Sequence, residues 1–142
     1  MRNAVGLFLV AAMSVSLCSC GSRGPARQKT YPVTGKVMVD GKAVAHLRVF
    51  AKAKEAGDPK YPILPQADTK DDGTFQLYSY EPGDGVPSGE YVLTFTWQEL
   101  KGLKYEGPDK LKKRYADPAK STFKVKVENS KVDLGTIELT TR

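Results

Sequence analysis

The feature that most constrains this chain is a pair of alternating runs, Thr74-Phe75-Gln76-Leu77-Tyr78 and Glu90-Tyr91-Val92-Leu93-Thr94-Phe95-Thr96-Trp97, separated by a loop rich in glycine and proline. A strand places successive side chains on opposite faces of a sheet, so Phe75 and Leu77 share one face, and Tyr91, Leu93, Phe95 and Trp97 share another. A helix would scatter the same residues around its surface, so the alternation predicts two half-buried strands. Their apolar faces need cover, because an apolar side chain contributes its roughly 1.5–3 kcal/mol only when it is withdrawn from water. Asp72-Gly73 ahead of the pair, with Pro82-Gly83-Asp84-Gly85 and Pro87-Ser88-Gly89 inside it, supply turn residues. Tyr91 follows the last of these turns, where a sandwich can place a corner tyrosine whose hydroxyl bonds back to nearby backbone; ordinary core packing is the other reading.

The rest of the chain repeats the pattern in shorter form. Val33, Gly35, Val37 and Val39 alternate with Thr34, Lys36 and Met38 up to Asp40-Gly41, a dipeptide suited to a hairpin turn. Leu47, Val49 and Ala51 mark a second strand. A short one is read around Gln66 to Thr69, after a Tyr61–Pro65 loop or edge segment whose prolines cannot donate to a ladder. Phe123, Val125 and Val127 mark another. In the last run Val132 and Leu134 share one parity and Ile137 and Leu139 the other, with Gly135 at the switch, which predicts a bulge.

One stretch departs from strand grammar. Pro108-Asp109-Lys110-Leu111-Lys112-Lys113-Arg114-Tyr115 begins with proline and an acid and sets Leu111 four residues before Tyr115, a pattern for one or two helical turns. The reading is therefore all-β: a single antiparallel β-sandwich of about seven strands with one short helical turn.

The amino terminus follows different rules. Met1-Arg2-Asn3 is a positive start, and Ala4 to Leu17 is an apolar run of about 14 residues, the size of a signal-peptide core and short of the ~20 that a spanning helix needs. The run ends in Leu17-Cys18-Ser19-Cys20-Gly21, which resembles a bacterial lipoprotein lipobox. Leu17 stands three before the cysteine to be lipidated and small Ser19 directly before it. Cys20 fits that position, whereas Cys18 would put bulky Leu17 at the cleavage site. Plain secretory cleavage nearby, leaving Cys20 as a free thiol, is the other reading.

The chain then divides into a signal peptide at 1–19, a lipidated Cys20 with a flexible tether at 20–31, and a sandwich domain at 32–142. A diacylglyceryl cysteine with an N-acyl chain exceeds the two chains that suffice for stable anchoring. The expected address is the cell envelope, membrane-anchored, on a periplasmic or surface-facing side. The ~ten residues from Gly21 to Thr30 reach roughly 35 Å when extended. Arg23, Arg27 and Lys29 in this tether either meet anionic head groups or stay solvated. With both cysteines at the leader's edge, the domain has no disulfide or thiol chemistry.

In order along the chain, Val33-Thr34-Gly35-Lys36-Val37 with Asp40-Gly41-Lys42, Asp71-Asp72-Gly73-Thr74-Phe75, Pro87-Ser88-Gly89-Glu90-Tyr91-Val92-Leu93, Lys113-Arg114-Tyr115-Ala116-Asp117-Pro118 and Leu134-Gly135-Thr136-Ile137-Glu138-Leu139 form a set. That set resembles the small bacterial lipoproteins with a carboxypeptidase regulatory-like domain, also called transthyretin-like. The likeness covers about residues 31 to 140, with Ala43 where such proteins usually have proline. It implies a prealbumin-like sandwich and an accessory, non-catalytic role, and it transfers no functional site.

Few residues offer chemistry. His46 is the only histidine, and triads and metal centres need several convergent groups, so it is read as structural. Asp68, Asp71, Asp72 and Asp84 depart from the alternating acids of a calcium loop and are read as turn formers. No cofactor, metal set or enzymatic activity is expected. The formal charge of +6 is spread over many lysines, and the leader accounts for Arg2 alone. Such a balance favours solubility and mild attraction to anionic surfaces, and an exported protein does not meet intracellular nucleic acid.

The strongest candidates for ligand contact are Trp97, Lys104, Tyr105, Lys112, Lys113, Arg114 and Tyr115, where cations and aromatics interleave. Two roles stay open. One is a non-enzymatic, lipid-anchored module that presents a sandwich for binding or scaffolding among envelope proteins. The other is a module that binds carbohydrate or an acidic polymer through those loops.

Overall fold

The two alternating runs at the centre of the chain enter different sheets and contribute to one core from opposite sides. The computed structural model describes residues 26–55, 57 and 60–142, so the signal peptide and Cys20 lie outside the described residues. In chain order the strands begin with β1 (Thr30–Tyr31), β2 (Val33–Val39), β3 (Lys42–Ala43), β4 (Arg48–Ala53), β5 (Gln66–Asp68) and β6 (Thr74–Leu77). They continue with β7 (Val86–Pro87), β8 (Gly89–Thr96), β9 (Glu99–Lys101), β10 (Lys104–Glu106), β11 (Lys124–Val127) and β12 (Val132–Leu139).

The front sheet has the order β11-β8-β4-β5, antiparallel throughout. In the back sheet β2 is central, flanked by β12 on one side and by β6 and β3 on successive halves of the other. Phe75, Leu77, Val33, Val37, Ile137 and Leu139 from the back meet Leu93, Phe95, Val49, Ala51, Val125 and Val127 from the front, all buried. The fold is thus an all-β sandwich. At one corner Gln66 and Tyr78 exchange backbone hydrogen bonds of 3.0 Å, which ties the edge of one sheet to the edge of the other.

Seven of the strands, β2, β4, β5, β6, β8, β11 and β12, stand where alternation places them. The other five are only two or three residues long, too short for a period to register. Asp40 and Gly41 turn between β2 and β3 with φ of 48° and 77°, the doubly positive geometry of a two-residue hairpin. The bulge in β12 falls between Asp133 and Thr136, with Gly135 at φ 64°. Gly35 has a different task. It lies opposite Phe75, and a Cβ there would stand 2.8 Å from the ring, so the aromatic face lies directly on backbone. Tyr91 is a corner tyrosine: its buried hydroxyl donates to the Pro87 carbonyl at 3.0 Å.

Three expectations need correction. The sandwich is not purely antiparallel, because β12 runs parallel to β2. The helical turn in Pro108–Tyr115 is absent, and the segment is a chain of turns. Lys112 and Lys113 both have positive φ, 55° and 60°, which interrupts any right-handed helix. Residues 27–31, expected to be free of the domain, are engaged with it. Thr30–Tyr31 pairs with β7, and Arg27 and Gln28 are already bonded to the body.

Candidate functional site

Strand direction divides the molecule into two poles. β8 starts at Gly89 and ends at Thr96, a length of roughly 25 Å at the usual rise per residue. The start of β8 lies with the start of β2, the end of β11 and the first described residues, 26–31. The end of β8 lies with the start of β4, the β9–β10 hairpin and the 107–116 loop. All seven candidate residues from Trp97 to Tyr115 fall at this second pole, and they do three different things there.

Lys104 and Tyr105 belong to the hairpin, whose register is Lys101 with Lys104 and Leu100 with Tyr105. Gly102 and Leu103 form its tip, and Leu103 is 99% exposed. The hairpin folds over the outer face of the front sheet because Arg48 fastens it. The guanidinium carbon of Arg48 is 4.8 Å from the Phe50 ring and 4.8 Å from the Tyr105 ring. Its charge is met by Asp68 at 3.8 Å, and it donates to Gln66 Oε1 at 3.3 Å. Thr94, opposite Phe50 in register, is buried although its parity is outward, so this face is covered. Burial, and then a hydrogen bond to the Asp68 carboxylate, pushes the Tyr105 phenol up to about 12.

Trp97, Lys112, Lys113 and Arg114 are organised by Asp109. Its Oδ1 accepts the backbone N–H of Trp97 at 2.8 Å and of Leu111 at 3.0 Å, and its Oδ2 accepts that of Lys113 at 2.9 Å. Leu111 is wholly buried and plugs the end of the sandwich. Folding the chain around that plug leaves Lys110, Lys112, Lys113 and Arg114 exposed. Lys110 lies over the Trp97 ring at 4.7 Å. Among the described residues, Lys104, Lys112, Lys113 and Arg114 carry no ion pair.

Tyr115 is placed at this pole but turned inward. Its ring packs edge-on against Phe95 at 6.5 Å, and its hydroxyl accepts the Thr140 N–H at 3.1 Å. It is a brace between the loop and the end of β12. The aromatic rings among the candidate contact residues are thus engaged within the protein, and what the pole offers outward is cationic.

Of the aspartates read as turn formers, Asp72 and Asp84 act on backbone, whereas Asp68 stands in β5 and faces Arg48. Asp72 accepts from the Thr74 N–H and hydroxyl, and Asp84 gathers the N–H groups of Ser79, Tyr80 and Glu81. His46 is an exposed residue at φ 58° whose backbone N–H bonds Thr69. No group of three or more potential metal ligands occurs among the described residues. Two organising residues, Arg48 and Asp109, were not singled out from the sequence. Arg48 carries a faint signal, since it shares strand parity with Phe50 and so stands beside it on one face.

The first pole has an open groove of about 1610 Å³, lined by Arg27, Tyr61, Ile63, Tyr80, Tyr91 and Asn129 among others. The first described residues are fastened there. Arg27 donates to Glu81 at 2.7 Å and lies 5.5 Å from the Tyr80 ring, whose hydroxyl accepts the Gln28 N–H at 3.1 Å. No helix among the described residues is long and apolar enough to cross a membrane.

No family model matches the sequence, and no curated protein matches it. Among solved structures, a 9R-lipoxygenase from Cyanothece PCC8801 is similar over 82% of this chain and 18% of its own, at 12% identity and a TM-score of 0.42. This chain thus spans less than a fifth of that protein, and a likeness so slight carries no argument about fold or activity.

Proposed function

We propose that the protein is a non-enzymatic, lipid-anchored envelope module of the carboxypeptidase regulatory-like kind. In this reading Cys20 holds the body at a membrane and the sandwich presents its far pole for binding. The observation that supports it is the placement of the two ends. The described residues start at one pole, and the exposed cations from Lys104 to Arg114 gather at the other, a strand length away from the anchored surface. Anchoring there leaves Lys104, Lys112, Lys113 and Arg114 facing outward. Mass spectrometry of the mature amino terminus tests the anchor: the expected product starts at Cys20 with acyl chains, and Cys20→Ala is lost from the membrane fraction. An unmodified mature terminus overturns the reading.

A second reading, binding of an acidic polymer or anionic carbohydrate, is favoured by those same cations and by their lack of carboxylate partners. Binding of this kind depends on charge rather than stacking, because the aromatic faces are already engaged. Co-sedimentation with an anionic polysaccharide is expected to fall steeply for Lys112→Glu with Lys113→Glu and Arg114→Glu, and to weaken with salt. Retention unchanged by that triple substitution counts against it.

A further inference from the structure

We propose that the Lys60–Leu64 loop is a second, non-covalent membrane contact beside the anchor, one that fixes how the body stands on the lipid surface. The inference rests on the lipid-anchored reading above. Its first support is distance. Ala26, Arg27 and Gln28 line the same groove as Lys60, Tyr61 and Ile63, so the loop and the anchor-bearing end of the chain are neighbours. With Arg27 clamped by Glu81 and Tyr80, six residues at most, Gly21 to Ala26, separate it from Cys20, a span of roughly 20 Å when fully extended. A body held that closely brings its first pole to the interface at high effective concentration, without a separate encounter.

The second support is chemistry. Three large hydrophobic residues stand exposed among the described residues, Tyr61 at 40%, Leu64 at 44% and Leu103 at 99%. Two of the three are in this loop, and the third is at the opposite pole. A tyrosine ring suits the headgroup layer, with its hydroxyl toward water, and Leu64 adds apolar surface beside it. The Lys60 ammonium lies 5.3 Å from the Tyr61 ring. Pro62 and Pro65 stiffen the segment, so docking orders less chain.

Electrostatics plays a minor part. Arg27, Lys54 and Lys126 at this pole are matched by Glu81, Glu90 and Glu128 at 2.7, 3.0 and 2.7 Å. The contact is therefore interfacial and apolar, and it changes little with ionic strength.

The test uses the lipidated full-length protein in vesicles of phosphatidylcholine and phosphatidylglycerol with brominated acyl chains, which quench nearby indoles. Trp97 is the single native tryptophan and sits at the far pole. It is compared with Tyr61→Trp in a Trp97→Phe background. Because Trp97 packs against the core, Tyr61→Trp alone, with native emission subtracted, serves if the double variant loses its strand spectrum. Both proteins are expected to float with the vesicles. The indole at position 61 loses most of its emission, Trp97 is unaffected, and adding Leu64→Ser reduces the quenching. If both float and position 61 is quenched no more than Trp97, the anchor stands and the loop contact is overturned. Quenching that appears only at high protein density assigns the loop to a second copy and also overturns it. If neither protein floats, the anchored reading fails and this inference falls with it.

Discussion

The two poles draw on the same kinds of charged residue and build opposite surfaces with them. At the pole where the described residues begin, the glutamates reach outward and neutralise cations, as in the Arg27–Glu81, Lys54–Glu90 and Lys126–Glu128 pairs. At the hairpin pole Asp68 and Glu99 reach Arg48 and Lys101 only at 3.8 and 4.0 Å, and two other aspartates turn their short side chains back onto the chain. Asp109 takes three backbone N–H groups, and Asp40 accepts from Thr140 and Thr141. A carboxylate one methylene from the backbone competes well for nearby N–H groups, whereas a longer one is freer to meet a lysine. The exposed cations of the hairpin pole are therefore a by-product of how its loops are tied.

That contrast can be broken most forcefully at the plug. Leu111→Ala is expected to lower stability by about 3–4 kcal/mol, since it opens a cavity under the 107–116 loop. Urea unfolding measures it, and a loss below 1 kcal/mol would mean that the loop holds without its plug. Asp109→Ala should cost about 2–3 kcal/mol by stranding three N–H groups. At the other pole Glu81→Ala, which removes an exposed pair, should leave the urea midpoint unchanged. Equal losses at Asp109 and Glu81 would erase the distinction drawn here.

Between these lies Tyr91→Phe, expected to cost about 1 kcal/mol because the Pro87 carbonyl loses its hydroxyl partner. The smallest effects come from pH. The Tyr105 phenol is raised, to about 12, so its contribution is whole below the unfolded value near 10 and is lost as pH rises through about 12. Ultraviolet titration should find Tyr105 among the last tyrosines to ionise, and an ordinary midpoint there would show the hairpin detached. Asp40 is lowered by hydrogen bonds from Thr141 and then Thr140, so its contribution is whole above the ordinary carboxylate range and lost as pH falls through its lowered value. The Thr141 amide, whose N–H Asp40 accepts, should lose protection against exchange in that acid window before the core opens.

The readable parts of the sequence were those where one face is buried over several residues. Alternation located the central strands, Gly135 marked the bulge, and the turn before Tyr91 left its hydroxyl bond as one of two open readings. The 108–115 segment misled because proline, acid and the Leu111–Tyr115 spacing are shared by a helix start and by an aspartate-centred loop. What separated them was the capture of the Lys113 N–H by Asp109, a contact no period encodes. The hairpin's position was illegible for a related reason. It depends on Arg48, distant in sequence, lying between Phe50 and Tyr105. The parallel pairing of β12 left no mark either, since its residues alternate as they would in any strand.

That parallel seam also shapes how the protein reaches its native state. Asp40 and Thr140, 100 positions apart, meet where the seam ends. Loop entropy opposes joining segments so remote until other pairings have brought them near, so the pairing of β12 with β2 is expected late in folding. In the interval β2 offers a bare, valine-rich rim to any other unfinished copy. Crowded refolding should therefore favour aggregates, and dilution should favour recovery of monomer.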